Sequence, residues 1–247
     1  MKKISKLIYF ILLAYTLSNI TGCNQSKIKQ QEKMENLYPP ESAVISYHSD
    51  WTKNHYPERI KAFKQDPLHE GDIVFIGDSY TEWGNDWSAQ TNVANIKNRG
   101  IAGDVTDGVL QRLEEITYFK PGKVFILIGT NDLFNIYYQK QIPSAAYVGN
   151  NILKIAGIIH QKTPETKIYI QTVLPSLYEF MKEYINQVNV IIKAPKTEKT
   201  YEVIDLNAAF LDAAGLMRKD LTADGIHLND AGYAVWADVL KPYLISK

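Results

Sequence analysis

From about residue 51 onward the chain alternates short apolar runs with longer amphipathic stretches. A parallel sheet covered by helices on both faces produces this alternation, because its strands are buried on both sides and its crossover helices on only one. The apolar runs predict strands over Ile73–Ile76, Val93–Asn98, Val124–Ile128, Lys167–Thr172 and Glu202–Leu206. Helical spacing predicts helices over Asp107–Ile116, over Ala145–Gln161 with Pro143 near its start, over Glu179–Lys193, and a closing helix over Ala231–Leu240. Joined by right-handed crossovers, these elements make an α/β fold, a three-layer α/β/α sandwich around a five-stranded parallel sheet. Ligands of such sheets gather where the carboxyl ends of the strands open into loops. The loops at Gly77-Asp78-Ser79, Gly100 to Asp104 and Gly129 to Asp132 therefore carry the chemical interest, together with the segment Asp224-Gly225-Ile226-His227 before the closing helix.

The first residues follow a different pattern. Lys2, Lys3 and Lys6 precede an apolar run from Leu7 to Leu17, and small and polar residues then lead to Gly22 and Cys23. This is the order of a secretory signal, and the run is too short to span a bilayer. Ile20-Thr21-Gly22-Cys23 resembles a bacterial lipobox, in which the cysteine is lipidated and becomes the first residue of the mature chain. The plain alternative is a secretory signal with an incidental cysteine. Asn24 to Glu41 is rich in Gln, Lys, Glu and Asn with a Pro39-Pro40 pair, a composition expected of an unordered tether. The expected organisation is thus a lipoprotein signal peptide over 1–22, a flexible tether over 23–41 and one folded domain over 42–247. Its expected location is the bacterial cell envelope, periplasmic or surface-exposed, with the membrane as a partner through the lipid on Cys23.

Composition narrows the function. The 27 basic and 27 acidic residues cancel, and loss of residues 1–22 would remove three lysines and no acid, so the mature chain lacks the basic excess of a nucleic-acid binder. The lone cysteine, Cys23, excludes an internal disulfide framework and a multi-Cys zinc site. There is no His-Glu-x-x-His, no Gly-x-Gly-x-x-Gly turn and no Gly-x-x-x-x-Gly-Lys phosphate loop. No metal and no organic cofactor is called for, and nothing in the chain sets an oligomeric state.

Ser79 follows an apolar strand and a glycine, where its hydroxyl would stand at the rim of the sheet. By itself it reads as a helix N-cap, since Glu82 three residues on completes a capping box. A serine nucleophile needs an imidazole base and a carboxylate to orient that base, and Asp224 and His227 provide such a pair on one turn. Of the five histidines, His48, His55 and His69 lie in a polar entry region without a nucleophile nearby, and His160 falls near a helix C-terminus, where its charge is favourable. Acyl transfer also needs donors for the oxyanion. Gly103, through its N–H, and Asn131, through its amide, are candidates whose alternatives are a turn glycine and an Asx turn.

The four blocks occur in order: Gly77-Asp78-Ser79, the loop glycine Gly103, Gly129-Thr130-Asn131-Asp132, and Asp224-x-x-His227. Together they resemble the SGNH/GDSL hydrolase family across roughly residues 71–245. The resemblance implies a flavodoxin-like sheet, Ser79 as nucleophile, His227 as base, Asp224 as orienting acid, and an oxyanion hole made by Ser79, Gly103 and Asn131. The stretch Asn98 to Thr106 is similar to the branch of platelet-activating-factor acetylhydrolase subunits, mostly small-acyl esterases. Tyr80 departs from the leucine of the family's name motif at a position without chemistry. The α/β-hydrolase elbow Gly-x-Ser-x-Gly is absent, because Thr81 stands where its second glycine would be.

These readings converge on a serine esterase removing short acyl groups, with O-acetyl groups on carbohydrate as the expected substrate because no long apolar insertion provides a lid. Trp83, Trp87, Tyr137 and Tyr138 are candidate stacking faces for a sugar, or else pack beneath loops. Arg99 and Asp104 either hold a polar substrate or brace the second loop. The alternatives are a lysophospholipase or thioesterase, a sugar O-acyltransferase, and a glycan-binding lipoprotein without catalysis.

Overall fold

A computed structural model describes residues 34–195 and 200–246. Cys23 and the expected signal segment lie outside the described residues. Five parallel strands, β1 (Ile73–Gly77), β2 (Ile96–Gly100), β3 (Lys123–Leu127), β4 (Lys167–Gln171) and β5 (Glu202–Ile204), form one sheet in the order β2-β1-β3-β4-β5. The chain steps outward in one direction from β1 to β2 and in the other from β3 to β5. The sequence reverses at β1 and β3, and the loops after these two strands open on the same crevice.

Alternation along the strands divides the core. Val74, Ile76, Val124, Ile126, Ile168 and Ile170 point to one face and meet α7 (Ala145–Lys162) and α8 (Glu179–Lys193) through Ile152, Ile155, Val188 and Ile192. Phe75, Phe125, Leu127 and Tyr169 point to the other and meet Trp87 of α3 (Trp87–Thr91) and Trp236 and Leu240 of α10 (Asp230–Ile245). The central strands are apolar on both sides, whereas edge strand β2 reads Ile-Lys-Asn-Arg-Gly.

The structure departs from the sequence reading in several places, among them the strand expected over Glu202–Leu206, which ends at Ile204. Strand β2 begins at Ile96, not Val93, because Asn92 and Asn95 take left-handed backbone at φ 56 and 63° and turn the chain just before it; Asn95 touches the sheet only through its carbonyl, which accepts from the Ile73 N–H at 3.0 Å. The helix expected over Asp107–Ile116 is two helices, α4 (Thr106–Gln111) and α5 (Glu114–Phe119), broken at Arg112. The polar entry region contains α1 (Asp50–Gln65), capped by Ser49 accepting from the Thr52 N–H. Gly129 is followed by α6 (Thr130–Tyr138), where only a loop was expected. Helices α2 (Ser79–Trp83) and α9 (Leu206–Phe210) are the other α-helices of five or more residues among the described residues.

Packing also begins before residue 42. Leu37 and Tyr38, within the segment expected to be a tether, are buried in a third cluster with Tyr56, Ile60 and Phe63 of α1 and Ile101. The Tyr38 hydroxyl donates to Glu115 at 3.0 Å.

Candidate active site

Ser79 is the first residue of α2, and the cap is Asp78, whose carboxylate accepts from the Tyr80 N–H at 3.1 Å. The capping box read around Ser79 does not form. Glu82 instead accepts from the Ala102 N–H and pairs with His55 at 2.9 Å. With the cap supplied one residue earlier, the Ser79 hydroxyl is not committed to its own helix. Its Oγ lies 3.2 Å from Nε2 of His227.

His227 is held by the turn that carries it. Asp224 Oδ1 accepts from the Ile226 and His227 N–H groups at 2.9 and 2.8 Å, and its Oδ2 meets His227 Nδ1 at 2.7 Å. Gly225, at φ +94°, allows the chain to fold back so tightly. The Thr222 hydroxyl fixes the base of the turn by donating to the His227 carbonyl and accepting from the Gly225 N–H. Partial desolvation raises the affinity of Asp224 for a proton, but the hydrogen bonds from the His227 ring and the two N–H groups outweigh it and hold the carboxyl below 3.8. An ionised Asp224 keeps a proton on Nδ1, which leaves the Nε2 lone pair facing Ser79.

The other predicted residues gather at the same place. Gly103, at φ +78°, and Asn131, the second residue of α6, line one cavity of about 640 Å³ with Ser79 and His227. The Asn131 amide donates one hydrogen to the Asp104 carbonyl at 2.9 Å; its second hydrogen remains for a ligand. Neither Ser79 nor Gly103 commits its backbone N–H to the loop and cap hydrogen bonds among the described residues. The arrangement therefore combines a hydroxyl, a base aligned by a carboxylate, and donors without protein acceptors, the set that attack on an ester carbonyl requires.

Arg99 and Asp104 brace the second loop from within. Arg112 grips Asp104 Oδ2 through Nε and Nη2 at 3.0 and 2.9 Å and donates to the Arg99 and Gly77 carbonyls. Arg99 clamps Glu115 at 2.9 and 2.7 Å. All four side chains are buried, so neither Arg99 nor Asp104 faces a substrate. Trp87 is a core residue whose indole donates to the Thr81 carbonyl. Trp83 is 43% exposed, and its ring centre lies 4.2 Å from that of His227. Tyr137 and Tyr138 are exposed and pack on Phe180 rather than lining the cavity.

Sequence reasoning missed one wall of the cavity. The stretch from Tyr47 to Lys53 lines it, and within that stretch His48 is buried with Nε2 2.9 Å from Asp104 Oδ1. The Ser49 cap was the one local signal of the helix behind this wall. No spacing in the sequence relates it to Asp104.

The class of protein that this sheet and cavity define is confirmed by comparison. Residues 72–235 match the GDSL-like lipase/acylhydrolase family, and the chain belongs to that family. The matched domain is thus that of a carboxylic ester hydrolase. Among solved structures, one from Streptococcus pneumonia described as a platelet activating factor is 28% identical, with a TM-score of 0.66 over 79% of this chain and 95% of that one. An acylhydrolase from Bacteroides fragilis shares the fold at 19% identity and a TM-score of 0.65, covering 79% of this chain and 97% of that one. An acetylxylan esterase from Geobacillus stearothermophilus shares it at 19% identity and 0.57, covering 73% and 97%. An N-acylneuraminate cytidylyltransferase from Escherichia coli is 28% identical over 66% of this chain, which spans 38% of that relative's length.

Proposed function

We propose that the protein hydrolyses short-chain acyl esters, with O-acetyl groups on carbohydrate as its substrate, through Ser79, His227 and Asp224. The observation that carries this reading is the hydrogen-bonded line from Ser79 to His227 to Asp224, opening on a cavity with polar and aromatic walls. His227 takes the Ser79 proton as Oγ attacks the carbonyl, and the oxyanion is held by the N–H groups of Ser79 and Gly103 and the Asn131 amide. His227 then returns the proton to the leaving alcohol, and water, activated by the same imidazole, releases the acid from the acyl-enzyme. A cavity of about 640 Å³ is far larger than an acetyl group, so most of its volume is left for the leaving alcohol. The acetylxylan esterase fold relationship is in keeping with a sugar there.

From the N-terminal sequence pattern alone we further propose that residues 1–22 are a signal peptide and that Cys23 carries lipid, with the chain at the bacterial envelope. Labelled fatty acid should enter the protein in cells and fail to enter Cys23→Ala. The activity is tested by comparing p-nitrophenyl acetate, butyrate and octanoate with acetylated xylo-oligosaccharides, alongside Ser79→Ala. Release of acetate from the oligosaccharides, lost in the variant, is expected. A preference for octanoate would overturn the short-acyl assignment in favour of a lysophospholipase or thioesterase.

A further inference from the structure

The wall formed by Tyr47–Lys53 lies outside the region that matches the family, which begins at residue 72. It is nevertheless built rigidly onto the loop that carries Gly103. His48 is bonded to Asp104, and the Thr52 hydroxyl occupies the space beside Gly103, only 2.2 Å from where a Cβ there would stand. Trp51 projects from this wall, 58% exposed, with one face stacked on the His55 ring at 4.7 Å and 24°. His55 is held in turn by Glu82, which accepts from the N–H of Ala102, the neighbour of Gly103. A large indole is thus pinned at the cavity with one face covered and the other free. Exposure of an aromatic that the surrounding hydrogen bonds hold this firmly has no structural benefit, since burial would be worth more.

We propose that Trp51, with the Asp50 carboxylate beside it, forms a subsite for the leaving alcohol that selects a neutral sugar ring. This rests on the carbohydrate-ester reading above. The alcohol oxygen must receive its proton from His227 Nε2, so whatever it carries extends away from His227 toward the remaining walls of the cavity. The apolar C–H face of a pyranose packs on an indole face, and its hydroxyls donate to a carboxylate. Asp50 accepts from its neighbour Lys53 at 2.9 Å, which leaves carboxylate lone pairs for such donors and no unpaired cation in this wall for an anionic headgroup.

The test measures kcat and KM of the full chain on ethyl acetate, a mono-O-acetyl methyl xyloside and an acetyl ester of glycerophosphocholine, for the wild type, Trp51→Ala and Trp51→Phe. The wild type should prefer the xyloside. Trp51→Ala should lower the ratio of kcat/KM for xyloside to that for ethyl acetate about five- to tenfold, through KM, and Trp51→Phe should restore most of it. A xyloside preference that survives Trp51→Ala, or a parallel loss on both esters, overturns the subsite and leaves the carbohydrate reading standing. Absence of a xyloside preference in the wild type, or preference for the phosphocholine ester, overturns the carbohydrate reading and the subsite with it.

Discussion

Nε2 of His227 stands 3.2 Å from the Ser79 hydroxyl across 148 residues of sequence, and a 2.7 Å bond to Asp224 holds the far side of the ring. Under the proposed mechanism, Ser79→Ala should reduce kcat on p-nitrophenyl acetate by about 10³–10⁶-fold. Asp224→Asn should cost less, about 10²–10⁴-fold, because the Asp224 side chain is 55% exposed and water takes over part of its role. Unchanged melting temperatures in both variants would locate the loss in chemistry. Retention of activity by Ser79→Ala would refute the assignment.

Gly103 combines a left-handed φ of +78° with the Thr52 hydroxyl in the position of its missing side chain. Gly103→Ala should therefore lose about 1–3 kcal/mol in chemical denaturation and most of its esterase rate, as the strained loop displaces its N–H. Adding Thr52→Gly relieves the clash but not the dihedral strain, so it should restore only part of both. Full recovery would show that the backbone conformation does not matter.

Arg99 and Glu115 form a bidentate pair with both side chains almost wholly buried. Arg99→Met removes the countercharge of the buried Glu115 carboxylate and should cost about 3–5 kcal/mol, whereas Arg99→Met with Glu115→Leu should recover only part of the stability, because the Tyr38 hydroxyl and the Leu68 N–H lose their shared acceptor. Urea denaturation of the single and double variants measures this. Equal losses in the two would mean that the cost is one of packing rather than unpaired charge.

Burial raises the Asp132 carboxyl, against hydrogen bonds from the Thr106 N–H and hydroxyl, to about 8. Burial likewise pushes Asp78 up to about 7. Both protonate more readily folded than unfolded, so their contribution to stability is complete below the ordinary 3.8 and is lost as pH rises through 7 and 8. Asp132→Asn, which cannot titrate, should show a melting temperature that declines less than the wild type's between pH 5 and 8. Parallel curves would remove Asp132 from the pH response.

Periodicity in the sequence was enough to determine the layers, the number and approximate places of the five strands and the bounds of α8, because strands buried on both faces and one-sided helices leave patterns that side-chain hydrophobicity enforces locally. The four loop blocks likewise singled out Ser79, Gly103, Asn131 and His227, which the structure brings to one cavity, and Asp224, which bonds His227. Tertiary contact decided the rest. Arg112 breaks its helix at the place where its guanidinium bonds Asp104 and two distant carbonyls. The cavity wall from Tyr47 to Lys53 forms because His48 reaches Asp104, a bond between residues 56 apart in sequence. Such contacts depend on the relative placement of elements already folded, and a linear pattern of polar and apolar residues carries no trace of that placement.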